Sequence, residues 1–199
     1  MKSFISRYGI TGSLKVLCYL LYTKLFFPKA RLVRLPIDVR NKKNINFGKG
    51  LTTGVGCRIE AYPTDKNKVC LIIGNHVEMN DYVHITAMES VTIGNDVLLA
   101  SKIYISDCSH GSYSGNEFDD SPLTAPNSRK MVTKPVTIED HVWIGEFVSI
   151  LPGSFIGKGS IIGTMSVVTG YIPEYSIAVG SPAKVIKKFN FETQKWERV

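Results

Sequence analysis

From Val136 to Pro173 the apolar positions recur every six residues. Ile138, Ile144, Ile150, Ile156 and Ile162 mark the period, and the fifth place after each anchor holds Val142, Val148, Ser154, Ser160 or Ser166. A 3.6-residue helical period would scatter these anchors around the helix. A six-residue period instead predicts short strands with one inward side chain, joined by corners, which is the pattern of a parallel β-helix. Gly145, Gly157 and Gly163 directly follow their anchors, where corner torsions that strain other residues are expected.

The same register appears upstream in Ile73 and Val77, Met79 and Val83, Ile93 and Val97, and Leu99 and Ile103. Phe47, Thr53 and Ile59 can be placed in phase before it, with the lysine-bearing stretch Tyr62 to Lys68 as an insertion or a loosened corner. Three sides make a coil of about eighteen residues, and about six coils at ~4.8 Å per strand give a prism some 29 Å long. The period fails between Ser109 and Pro135, where Gly111, Gly115, Pro122, Pro126 and several Ser, Asn and Asp residues have turn chemistry. A loop this long inside a compact repeat is expected to be functional or disordered. The resulting division is a helical, basic cap segment (1–40), a β-helix (41–182) carrying a protruding loop (109–135), and a C-terminal tail (183–199).

Composition fits one globular domain: 199 residues, 44% hydrophobic, formal charge +7. The cations crowd the first fifth of the chain, from Lys15 to Lys43, and recur at Lys184, Lys187 and Lys188. β-helix walls offer no element that fits a nucleic-acid groove, so phosphate-bearing small molecules and anionic membrane surfaces are the expected partners, not nucleic acid. Cys18, Cys57, Cys70 and Cys108 have no paired spacing and no signal peptide precedes them, which predicts reduced thiols and a cytoplasmic protein. Ser13 to Phe27 is strongly apolar, yet Lys15 and Lys24 bracket an uncharged run too short to span a bilayer. A helix here would lie peripherally on a membrane, cap the first coil, or do both.

Val142-Trp143-Ile144-Gly145, Ser166-Val167-Val168-Thr169 and Gly180-Ser181-Pro182-Ala183-Lys184-Val185-Ile186 resemble the hexapeptide-repeat acyltransferases. The likeness spans roughly residues 40 to 188. Within that group the chain is similar to galactoside, maltose and nodulation acetyltransferases, and more so to O-acetyltransferases of bacterial surface polysaccharides. The resemblance implies a left-handed β-helix, a homotrimer with sites between subunits, and acetyl transfer from acetyl-CoA to a sugar hydroxyl.

His110 stands where the repeat gives way to the loop, the position of a general base in the resembled enzymes, and imidazole titrates near working pH. Asn80 matches their acceptor-contacting asparagine; Asp81, His84 and Tyr113 are further candidates for the acceptor. The resemblance assigns the donor to Trp143, Glu146, Thr164, Thr169, Lys184 and Lys187. Glu146 and Thr164 replace the small residues common in relatives, leaving Glu146 its backbone N–H toward the thioester oxygen, and Gly170 replaces a frequent lysine. Asp107 would orient an imidazole or bind corner amides. His76 and His141 are expected at solvated corners. Cys108 is an alternative nucleophile with nothing nearby to activate it. No metal is expected. Two other classes remain: a zinc enzyme of the β-helix carbonic anhydrase kind, which needs three protein ligands that the histidine spacing does not offer, and a non-catalytic scaffold without affinity for acetyl-CoA.

Overall fold

The computed structural model describes residues 4–199. The chain winds through three parallel walls in a fixed order, which we call B, C and A. Wall B stacks strands Ile37–Arg40, Cys57–Ala61, His84–Ala87, Tyr104–Ser106, Ser149–Ile150 and Val167–Val168. Wall C stacks Ile45–Phe47, Leu71–Ile73, Val91–Ile93, Val136–Ile138, Phe155–Ile156 and Tyr171–Ile172. Wall A runs from Thr52–Thr53 through Glu78–Met79, Leu98–Leu99, Trp143–Ile144 and Ile161–Ile162 to Ser176–Val179. The tail then folds back, as Lys184–Asn190 and Lys195–Arg198 add two antiparallel strands to wall A.

The hexapeptide anchors form the core: Met79, Leu99, Ile138, Ile144, Ile150, Ile156 and Ile162 are buried. Each such side chain contributes about 2 kcal/mol by leaving water. The serines at the fifth place are buried too, and their hydroxyls bind backbone across coils. The single Ser154 O–H is shared between Leu151 O in its own coil (2.6 Å) and Val168 O in the next (3.0 Å), and Ser160 donates to Pro173 O (2.7 Å). These serines thus fill the narrow inner corners with their hydroxyls paired, whereas the buried Thr52 Oγ1 has no hydrogen-bond partner among the described residues.

The corner glycines act differently from the expectation. Gly145, Gly157 and Gly163 do not have left-handed torsions; a Cβ on Gly157 would stand 2.3 Å from the Glu174 nitrogen, so close approach of the next coil excludes a side chain there. The left-handed corners are occupied mainly by other residues, among them Tyr82, Lys102, Phe147 and Met165. The stretch Tyr62 to Lys68 leaves the edge between walls B and C, the same edge from which the long loop departs, and Asn44 ties it down through Lys66 O and Lys68 O (2.8 Å each).

Helix α1 (Phe4–Phe26) is broken at Gly9, which has φ +66°. Its Val16 and Thr23 are buried, and the Thr23 hydroxyl accepts the Val33 N–H at 2.8 Å. Phe27 meets Phe47 of wall C edge-on at 5.6 Å, and Arg31 N–H reaches Leu51 O. The helix therefore docks at the first coil through one face. Among the described residues no helix is long and apolar enough to cross a membrane.

Candidate active site

The loop is an ordered hairpin. Cys108–His110 pairs antiparallel with Met131–Thr133, and a 3-10 turn at Pro126–Ser128 leads back. Asp119 and Asp120 hold the tip by accepting N–H bonds from Ser114, Gly115 and Ser112. His110 is exposed, and among the described residues its imidazole has no hydrogen-bond partner. The Tyr113 hydroxyl donates to the His110 carbonyl and accepts from Arg129 Nη1 (2.6 Å), so its polar group is engaged in holding the hairpin.

Asp107 takes the second of its two expected roles. It is fully buried, and its carboxylate accepts the N–H groups of Met88 (2.8 Å), Glu89 (2.7 Å) and Ser90 (2.7 Å). It fixes the base of the hairpin and does not bind an imidazole. Cys108 lies against Ser106 Oγ at 3.3 Å. Burial pushes its thiol up despite that bond, so it carries no thiolate activation.

The predicted residues divide between two places. Asn80, Asp81, Glu146 and Thr164 follow wall-A strands and stack along the edge between walls A and B. Asn80 is exposed and its amide makes no hydrogen bond among the described residues, whereas Asp81 Oδ1 accepts Val55 N–H at 2.8 Å. Trp143 stands 49% exposed on the outer face of wall A, in register with Leu98 and Ile161, and Ile161 is in turn in register with Ile177 and Ile177 with Lys187. Lys187 is thus three strands, roughly 14 Å, from Trp143, and Lys184 lies on the same outer face. Thr169 instead follows wall B and lines a cavity of about 290 Å³ beneath the hairpin, with Ser109, Tyr113, Lys134 and Leu151. His110 and Thr169 therefore belong to the B–C edge, and the remaining donor residues to wall A and the A–B edge.

His84 lies on wall B between those edges, within a network that the sequence did not reveal. Glu60 is 1% exposed although it points outward. It is met by Arg58 Nη2 (2.7 Å), Arg40 Nη1 (2.7 Å), Tyr62 OH (3.0 Å), His84 Nε2 (3.0 Å) and Thr86 Oγ1 (3.2 Å). Burial pushes its carboxyl up, but the bonds from Arg58, His84 and Tyr62 outweigh it and hold the group at about 2. The outward position of Glu60 on an alternating strand was legible; the side chains that cover it come from three coils. His76 and His141 are exposed corners, as expected. Among the described residues no three His, Cys, Asp or Glu side chains are gathered so as to hold a metal.

Comparison with known proteins adds four findings. Residues 135–170 match the family model described as bacterial transferase hexapeptide (six repeats). A putative lipopolysaccharide biosynthesis O-acetyl transferase, WbbJ of Escherichia coli, is 43% identical over 192 residues, which is 96% of each chain. The galactoside O-acetyltransferase of E. coli is 35% identical over 59% of this chain and 54% of its own. Among solved structures, AntD, an N-acyltransferase from Bacillus cereus in complex with dTDP-4-amino-4,6-dideoxyglucose and coenzyme A, superposes with a TM-score of 0.68 over 87% of this chain and 90% of its own; at 22% identity it shows the fold alone.

Proposed function

The chain belongs to the hexapeptide-repeat acyltransferases, and on that premise we propose that it acetylates a sugar hydroxyl of a bacterial surface polysaccharide or its precursor, with acetyl-CoA as donor and His110 as general base. It is an acetyl-CoA-dependent O-acetyltransferase. We take the coil to be left-handed and the working assembly to be a homotrimer. The observation that carries this reading is the division of the site. An imidazole free of internal partners projects from the B–C edge, while Asn80, Trp143 and Lys187 lie across wall B on the other side. One chain thus holds two halves, and a neighbour's hairpin laid against wall A joins them. The exposed side chains of Tyr82, Phe147 and Met165 along the A–B edge, beside Leu98 and Trp143, support such a contact.

In that joined site the acceptor hydroxyl loses its proton to the His110 imidazole as its oxygen attacks the acetyl carbon. The carbon–oxygen bond forms, the carbon–sulfur bond breaks, and the imidazolium returns the proton to the departing CoA thiolate. We assign the oxyanion to the Glu146 backbone N–H. Trp143 and its apolar neighbours seat the pantetheine arm, and Lys184 and Lys187 meet phosphates as point charges. Asn80 offers the acceptor a free amide. No acyl-enzyme is formed.

Calorimetry with acetyl-CoA tests the donor half without knowledge of the sugar; a folded protein that does not bind the donor at millimolar concentration refutes the transferase reading and favours a scaffold. Across a panel of saccharide acceptors, His110→Ala is expected to lower turnover by roughly 10² to 10⁴ with donor affinity retained. Near-normal turnover would remove His110 from the mechanism.

A further inference from the structure

Before Asp38 the chain carries seven Lys and Arg residues and no Asp or Glu. Within that segment, Ile10, Leu14, Leu17, Leu21 and Leu25 of α1 are all exposed. At 100° per residue they fall within about 80° of arc and run for about 22 Å along the helix. Val16 and Thr23, which dock α1 to the first coil, lie on the opposite side, so the fold does not use the leucine stripe.

The cations sit beside this stripe. Lys24 flanks it one helical step away, and Lys29 and Lys42 line a cavity of about 280 Å³ at the end of α1, floored by Phe27, Ile45 and Phe47. A second copy of the chain would bring the same positive segment against its own kind. A bilayer leaflet with anionic headgroups offers negative charge and hydrocarbon in one plane, which is the complement of what α1 presents.

We propose that α1 lies in the surface of an anionic lipid bilayer, with the Ile10–Leu25 stripe among the acyl chains and Lys24 and Lys29 at the lipid phosphates. The contact is independent of the acetyl-transfer reading, since none of its residues belongs to either half of that site.

Cosedimentation of the full-length protein with phosphatidylcholine vesicles, with and without phosphatidylglycerol, tests it. Binding is expected only where phosphatidylglycerol is present and is expected to weaken as salt rises. The double variant Leu14→Glu/Leu21→Glu should lose binding while keeping the parent's melting temperature and donor affinity. Lys24→Gln/Lys29→Gln should lower partitioning by roughly 25-fold, about fivefold for each charge. A full-length protein that ignores anionic vesicles at low salt overturns the proposal, as does unchanged binding by the leucine double variant. A smaller assembly mass for that variant in lipid-free buffer also overturns it, because the stripe would then be a contact between copies.

Discussion

Replacing Asp107 with alanine removes the acceptor of three backbone N–H groups, from Met88, Glu89 and Ser90, at a fully buried position. Each bond to an ionised acceptor is worth about 1.5–3 kcal/mol net, and the stranded donors lie at the foot of the hairpin where water reaches some of them. The expected cost is therefore about 4 kcal/mol. Asp107→Asn retains one carbonyl oxygen but turns a donor toward the remaining amides, and about 2 kcal/mol is expected. Urea unfolding at one fixed protomer concentration is the assay, so that any assembly would contribute equally to every variant's apparent stability. With m near 2–3 kcal/mol/M, the alanine midpoint should fall by about 1.3–2 M at unchanged m. An imidazole-orienting carboxylate would behave in the opposite way: stability would hold, turnover would fall by up to ~10⁴, and the pH profile of kcat/KM would move. A midpoint within about 0.3 M of wild type in Asp107→Ala, or a displaced pH profile in Asp107→Asn, would refute the pinning role.

Two further predictions concern the walls. Glu60 is held at about 2 against an ordinary 4.5, so the folded state binds its proton less tightly than the unfolded chain. Its stabilisation is complete above about pH 4.5 and is lost as pH falls toward 2, a loss of roughly 3 kcal/mol. Glu60→Gln should flatten this acid limb in urea unfolding followed against pH, and identical limbs in the two proteins would disprove the assignment. Gly157→Ala places a Cβ 2.3 Å from the Glu174 nitrogen and should cost about 2–4 kcal/mol, whereas Gly170→Ala meets nothing within 4 Å and should stay within about 0.5 kcal/mol. Thermal unfolding of the pair decides, and equal melting temperatures would show that the coils can part.

The anchors were readable because each hexapeptide buries one position whatever wall it occupies, so Ile138 through Ile162 announce themselves without knowledge of their neighbours. Edges are less legible, because what constrains them is another coil. Nothing local to Gly157 indicates that Glu174 presses on it, and nothing local to Glu60 tells of His84, 24 positions on. The position of Thr169 was within reach of arithmetic: Glu146 and Thr164 lie one eighteen-residue coil apart and share an edge, whereas Thr169 lies one coil beyond Leu151 and shares the edge of the hairpin. The resemblance groups Thr169 with the donor residues, and that count separates it from them.

The corners themselves bear on why the division is tolerable. Tyr82, Phe147 and Met165 hold left-handed torsions along the A–B edge while exposing large apolar side chains. For residues with a Cβ this conformation costs of order 1 kcal/mol each, which glycine would avoid. If turning the chain were the only requirement at these corners, glycine would serve it with less strain and less exposed hydrocarbon. Lys102 covers part of the Phe147 ring from within the chain; under the proposed function, a neighbouring subunit that brings His110 to wall A would cover the rest of this edge. Burying one such side chain is worth about 1.5–3 kcal/mol, enough to offset its torsion. Under the proposed function, the strain in the separate chain and the division of its candidate site would have a common resolution in a trimer.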